Sequence, residues 1–288
     1  MKNPKSENLN PKQILNSKSQ IQNFYPLTLA RDVSKLRCGA RMLADHPERK
    51  IQYLWDLIIN LKADLETDLK VLGTRYQGLG IHKSAVILNE KNVLIEEGAE
   101  IEPCAVIDAR QGPIYIGKNS IIKAGANLRG PVSIGPECRI GGEIVSSIFH
   151  GYSNKGHYGF IGHSYVGEWV NLGAGTTNSN LKNTYGTVKI NVNGQEIDTG
   201  QQFMGCFIGD FAKTGIGTLI TTGAVIGLAA NIFGGGVTPK VVPNFSWGKD
   251  GKADFDKAIE GIKRMMGRRG KTLTSEAEKQ LKEIYLVF

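Results

Sequence analysis

Aliphatic residues recur every six positions through the middle of this chain, and few chain geometries tolerate that spacing. Ile95, Ile101 and Ile107 are six apart. After a three-residue slip, Ile116, Ile122, Leu128, Ile134 and Ile140 continue the count, and Ile208, Thr214, Ile220, Ile226 and Ile232 resume it. A small residue follows four places after many of them (Ala99, Ala105, Ser120, Ala126, Ala212, Ala224, Ala230), and glycine often follows directly, as at Gly117, Gly135 and Gly227. An amphipathic helix repeats at about 3.6 residues and an open strand at about two, so neither holds this period over so many cycles. Stacked short strands do, because each turn of a solenoid buries the aliphatic residue of the turn before it. The period predicts a mainly β fold, a parallel β-helix of hexapeptide repeats from about Ile95 to Phe233. The 36 glycines among 288 residues suit its many tight turns.

The flanks follow other rules. Residues 1–23 are polar, carry Pro4 and Pro11, and are expected to be a disordered tail. Leu54, Ile58, Leu61, Leu65 and Leu69 recur at three and four residues, which predicts an amphipathic helix in a small helical region spanning 24–90. The β-helix is expected over 91–248. Beyond it, Phe255, Ile259, Ile262 and Met266 form one helix face within 249–288, and Ser275 with Glu278 predicts a capping box for a second helix. The basic run Arg264, Arg268, Arg269 and Lys271 between them reads as a solvated helix end, with a ligand site as the alternative.

Between the two hexapeptide runs, Phe149 to Cys206 breaks the count. This segment holds His150, His157 and His163, the asparagines Asn171, Asn178, Asn180 and Asn183, and an alternating stretch around Val188, Ile190 and Val192 with Asn193-Gly194 as a hairpin turn. Departures from a repeat are where loops leave the coil and where function concentrates. Histidine suits proton transfer near neutral pH, a Gly173-Ala174-Gly175 turn suits backbone N–H donors for an oxyanion, and asparagines suit either sugar hydroxyls or structural ladders.

Charge and cysteine usage narrow the classes. The net charge is +8, with ten Lys/Arg against four Asp/Glu in residues 1–50 and ten against seven in 249–288. The excess thus sits in the flanks rather than on the repeats, which argues against nucleic acid as a partner. Cys38, Cys104, Cys138 and Cys206 show no metal spacing, and Cys104 and Cys138 occupy small-residue positions expected inside the coil. The sequence shows neither a membrane-spanning apolar run nor the apolar stretch of a signal peptide, so the expectation is a cytoplasmic protein with no membrane partner.

Lys155-Gly156-His157, followed by Ile161-Gly162, Val166-Gly167 and Asn171-Leu172-Gly173-Ala174-Gly175-Thr176, then Asn180, resembles the acetyltransferase half of the bifunctional glucosamine-1-phosphate acetyltransferase/N-acetylglucosamine-1-phosphate uridyltransferase family. The likeness spans about Val93 to Phe233. Gly151 to His157, Gly167-Glu168-Trp169, Asn178 to Asn183 and Phe245-Ser246-Trp247-Gly248 are also similar to single-chain relatives described as sugar nucleotidyltransferases.

The resemblance implies a left-handed β-helix and a homotrimer with sites between subunits. It also implies a CoA-dependent acyltransferase, with acetyl-CoA as co-substrate and no metal required, acting on the amine of an amino-sugar phosphate or nucleotide-linked amino sugar. It makes His157 the general base, places Asn171, Asn180, Arg129 and Lys155 with the substrate, and places Ala174 with Gly173 and Gly175 at the acyl thioester. A non-catalytic assembly remnant is the alternative.

The pattern departs at Phe160, where the family has a tyrosine, at Val145 to Ser147, where a lysine pair is absent, and at Gly186, in another lysine's place. The acceptor is therefore left open. The left-handed β-helices that hold zinc between subunits and run carbonic anhydrase chemistry carry a histidine pair enclosing four residues, which His157 and His163, enclosing five, do not resemble. Tyr25-Pro26-Leu27-Thr28 resembles the end of the relatives' phosphate loop without the glycines before it, so residues 1–90 are expected to lack nucleotidyl transfer.

Overall fold

The computed structural model describes residues 23–73, 80–192, 194–249 and 251–287. The chain winds through about nine turns of a solenoid whose short parallel strands stack on three faces. The first face collects Val86–Leu88, Val106–Asp108, Asn127–Arg129, Glu143–Val145 and Phe160–Gly162, with Thr177–Asn178 pairing onward to Leu219–Ile220. The second face runs from Val93–Ile95 to Val241–Val242 and the third from Glu100–Ile101 to Ser246–Trp247. Register turns the six-residue period into columns: Ile95, Ile116 and Ile134 lie opposite one another on one face, and Ile101, Ile122 and Ile140 on the next. These side chains are sealed inside the coil, each burial stabilising by about 1.5–3 kcal/mol.

The coil does not break at Phe149. Phe149 lies opposite Ile134, Lys155 opposite Ile140, Ile161 opposite Ile144 and Leu172 opposite Thr214, so the winding continues to Asn178. Steps of five residues among those of six, and a lysine and an asparagine at inward positions, hide that continuity in the sequence. The excursion from the coil is shorter and contains an antiparallel hairpin, Lys189–Val192 with Gln195–Asp198; Asn193 of its expected turn lies outside the described residues.

The second face is covered. Its outward residues Leu94, Tyr115, Ile148, Tyr165, Phe207 and Val225 pack against Phe24, Leu27, Leu36, Leu43 and Leu54, and against Val188, Ile190 and Val192 of the hairpin. The expected N-terminal helix is present as two pieces, α1 (Asp56–Ile59) and α2 (Leu61–Leu72), joined at Asn60, with Leu61, Leu65 and Leu69 buried. The tail expected at 1–23 lies outside the described residues apart from Asn23.

Two C-terminal helices, α3 (Phe255–Gly267) and α4 (Ser275–Val287), pack on the corner between the second and third faces. The cap of α4 is Thr274 rather than Ser275: the Thr274 Oγ1 accepts from the Ala277 N–H (3.2 Å). Cys138 is buried in the coil as expected, and so is Cys206, whereas Cys104, also expected inside, is exposed at a turn where its φ of 60° points the side chain outward. No helix among the described residues is long and apolar enough to cross a membrane.

Candidate functional site

The interior of the coil turns polar behind one corner. Where the third face passes to the first, Lys155 occupies an aliphatic position and is fully buried. Its stem fills the core and its Nζ donates to the carbonyls of His157 and Tyr158 (2.8 Å to Tyr158), bracing that turn from inside. Burial pushes the Lys155 ammonium down to about 8. Lys155, expected with the substrate-binding residues, thus acts from within the coil. One coil on, the Thr176 and Thr214 hydroxyls pair at 2.7 Å, and Thr214 Oγ1 also accepts from the Gly173 N–H (3.1 Å). A buried hydroxyl costs stability unless it is paired, and these are paired with the turn.

What the interior braces is the pair of turns carrying His157 and Ala174. Asn154 lies opposite Asn171, and the Gly175 N–H reaches the Tyr158 carbonyl (3.0 Å), so His157 and Ala174 hold equivalent places on adjacent coils. Adjacent strands lie about 4.8 Å apart. The His157 ring is exposed. The N–H groups of Gly173, Gly175 and Thr176 are each engaged, while that of Ala174 has no acceptor among the described residues. Gly173 is required because a Cβ there would lie 2.7 Å from the Gly215 backbone; Gly175 is required because its φ is 74° and the Tyr158 ring lies against it. Asn171, exposed on the third face beside this corner, accepts from Asn154 Nδ2 at 3.4 Å.

Arg129 and Asn180 lie elsewhere. They sit where the first face passes to the second, across the width of a face from His157. Arg129 pairs with Glu143 at the surface. Asn180 Nδ2 donates to His163 Nδ1 at 2.9 Å, which leaves the imidazole Nε2 to carry the proton. Burial pushes His163 down to about 4, so the ring is neutral at physiological pH. The Phe160 ring lies over the bare strand position of Gly162 against Asn180, and His163 stacks on Phe203 at 5.5 Å. The structure therefore brings His157, Ala174 and Asn171 together at one corner and places Arg129 and Asn180 along another, three coils apart. Sequence reasoning missed Phe203 and the His163–Asn180 pair; no local signal marks a contact that spans 17 residues.

His150 has a third environment. It is buried between the Lys35 carbonyl (2.9 Å) and Glu168 (3.3 Å), beside Arg31, which bridges Glu168 and Asp210. Burial first, then the Arg31 charge, pushes His150 down to about 4. Burial also raises fully enclosed Asp210 to about 6. The three histidines are thus separated, and no group of three or more His, Cys, Asp or Glu side chains among the described residues could hold a metal ion.

No protein-family model matches the chain. A bifunctional sugar-1-phosphate nucleotidylyltransferase/acetyltransferase of Sulfurisphaera tokodaii is 38% identical over 169 residues, 58% of this chain and 41% of that protein. A bifunctional protein GlmU of Picosynechococcus sp. is 29% identical over 169 residues, 53% of this chain and 33% of that protein. The resemblance read from the motifs is thus matched by overall sequence similarity, and the chain spans about a third to two fifths of the length of these relatives. Among solved structures, an N-acyltransferase from Bacillus cereus, AntD, determined with dTDP and 3-hydroxybutyryl-CoA, aligns with a TM-score of 0.31 at 14% identity, covering 72% of this chain and 97% of that one.

Proposed function

We propose that this protein is an acyl-CoA-dependent N-acyltransferase whose acceptor is the amine of an amino-sugar phosphate or nucleotide-linked amino sugar, with acetyl-CoA as the donor. The observation that carries the reading is the juxtaposition of an exposed imidazole, His157, with the unengaged N–H of Ala174 one coil away, both braced from inside by buried polar groups. Aminolysis of a thioester needs those two elements. As the amine nitrogen attacks the thioester carbonyl, His157 takes the proton the amine must lose. The carbonyl oxygen gains negative charge, which a backbone N–H aimed at it stabilises. Collapse of the tetrahedral species breaks the C–S bond, CoA leaves as the thiolate, and the proton held on His157 can return to it. Acetyl transfer activity in the relatives' names supports the donor class.

The separation of Asn180 and Arg129 from His157 supports a site shared between copies of the chain. In a closed trimer, the corner bearing His157 and Asn171 on one copy can face the corner bearing Asn180 and Arg129 on the next. A second reading, a non-catalytic assembly surface, draws on exposed apolar side chains along the open edge: Tyr158, Ile216, Leu219 and Val237.

Incubation with acetyl-CoA and a panel of amino sugars (free, 1-phosphorylated and nucleotide-linked), followed by thiol release, tests the reading. The expected result is acceptor-dependent release together with a light-scattering mass near three chains. CoA at about 100 times its Kd should also stabilise the protein by about 2.7 kcal/mol. A clean monomer with no thermal response to CoA overturns the proposal and favours the second reading if an assembly partner is found.

A further inference from the structure

We propose that Arg269, at the end of the C-terminal helix α3, is a positioning residue that sets the direction of the Asn154 and Asn171 amides, so that Asn171 presents an N–H donor to an oxygen of the acceptor beside His157. The inference rests on the reading of the His157 corner given above and extends it to a residue from an element outside the coil.

The direction of the chain of hydrogen bonds is forced by its first member. A guanidinium carries only donors. Arg269 Nη2 donates to Asn154 Oδ1 at 2.9 Å, and its Nη1 donates to the Glu137 carbonyl at 3.2 Å with the Glu137 carboxylate 3.6 Å away. With Oδ1 turned to Arg269, Asn154 can offer Asn171 only its NH2, and Asn154 Nδ2 does lie 3.4 Å from Asn171 Oδ1. Asn171 in turn has its carbonyl occupied, and its own NH2 is directed away from Asn154.

An isolated asparagine on a flat strand face could turn either end outward at little cost; here the fixed positive charge of Arg269, acting through Asn154, decides. The next residue along the face, Lys213, does not compete for the ligand, because its ammonium is drawn to the Phe211 carbonyl (3.1 Å). The Arg269 side chain is only 19% exposed, so the anchor is held rather than waving in solvent.

The consequence is a row of donors along one edge: the Asn171 NH2 on the third face and the Ala174 N–H at the turn, with His157 one coil below. Such a row recognises oxygen acceptors. The Ala174 N–H meets the thioester oxygen, and the Asn171 NH2 meets a ring hydroxyl or phosphoryl oxygen flanking the amine, which holds the sugar while leaving the amine free for His157. The expected loss on removing one neutral hydrogen bond is about fivefold in affinity.

The test uses the full chain with asparagine side chains labelled with nitrogen-15, the Asn171 amide pair being the one lost in Asn171→Ala. Arg269→Ala frees the Asn154 amide and should shift and broaden the Asn171 pair, and Arg269→Lys should restore much of it. Asn154→Asp is the sharper variant. Its carboxylate keeps Arg269 but has no proton to offer, so Asn171 must turn its NH2 inward and present its carbonyl. The Asn171 protons should then show the slowed exchange of a charge-assisted hydrogen bond, with thermal stability at or above wild type.

In turnover with acetyl-CoA and the best amino-sugar acceptor, both Arg269→Ala and Asn154→Asp should raise the acceptor KM about fivefold or more. The KM for acetyl-CoA should stay unchanged. An Asn171 amide indifferent to Asn154→Asp in a folded protein overturns the relay. A shifted amide with an unchanged acceptor KM overturns its role in binding. A wild-type chain that turns over no acceptor overturns the acyltransferase reading instead, and the amide spectra still report whether the relay exists.

Discussion

Two corners of the same coil use the same left-handed backbone to opposite ends. Where the second face meets the third, four of the residues at positive φ are aromatic, Tyr152 at 53°, Trp169 at 58°, Phe211 at 62° and Phe245 at 54°, beside Gly98, Asn119, Glu137 and Ala229. Where the third meets the first, they are mostly glycines, among them Gly125 at 69°, Gly175 at 74° and Gly217 at 67°, with exposed Cys104 at 60° the exception. A side chain held there costs about 1–2 kcal/mol. The first corner offsets that cost by burying its aromatics under α3 and α4, where Tyr152 stacks on Trp169 at 4.4 Å and Phe245 is sealed against Phe255 and Tyr285. The second corner buries no aromatics there and has no Cβ at Gly125, Gly175 and Gly217, and the Ala174 N–H beside Gly175 stands open to a ligand. The geometry of the repeat is common to both; what each corner does depends on whether a side chain fills it.

Phe245→Ala should produce the largest change in stability, because it leaves the strained turn in place and removes the burial that offsets it. The expected loss is about 3–5 kcal/mol, read by denaturant unfolding. A loss under about 1 kcal/mol would mean that the helices do not depend on the corner they cover.

Acidification should act next. His150 and His163 both fall to about 4 in the folded protein, against 6.5 for a free imidazole, so the unfolded chain binds more protons between those values. Their contribution is therefore complete above pH 6.5 and is lost as pH falls toward 4. Asp210, raised to about 6, works in the opposite sense over part of that range. Between pH 6.5 and 4.5 the net loss should be about 3 kcal/mol. His163→Phe should flatten the slope, and an unchanged slope in that variant would show that its imidazole titrates freely.

Gly175→Ala probes the open corner and should have the smallest effect on stability, about 1–2 kcal/mol from its φ of 74°. Its effect on turnover should be larger than its effect on folding, since the shifted turn also moves the Ala174 N–H. Equal effects on folding and turnover would place the turn outside the chemistry.

The solenoid was legible because stacking imposes one period on every turn: Ile95, Ile101 and Ile107 each occupy a separate face, and the spacing alone demanded it. The stretch from Phe149 to Asn178 misled for the converse reason. Lys155 is polar in composition yet sits where an isoleucine would, since its ammonium finds carbonyls at the end of a buried stem. His157 and Ala174 were found through their motifs. Their adjacency follows from register. The separation of Asn180 and Arg129 does not show in sequence spacing, because six residues cross a whole face of the coil and reverse which corner a side chain occupies. Arg269 read as part of a solvated helix end, and nothing local ties it to Asn154, 115 residues away.

His157→Ala in steady-state acetyl transfer tests the central claim most directly. With an acceptor from the amino-sugar panel, kcat should fall roughly 100- to 10,000-fold, the usual worth of a positioned general base. The KM for acetyl-CoA and the melting temperature should stay near wild type, since an exposed imidazole contributes little to the fold or to ground-state binding. Raising the pH should recover part of the rate, because more of the acceptor amine is then already neutral. A folded His157→Ala protein that keeps nearly full activity would contradict the account at its central residue.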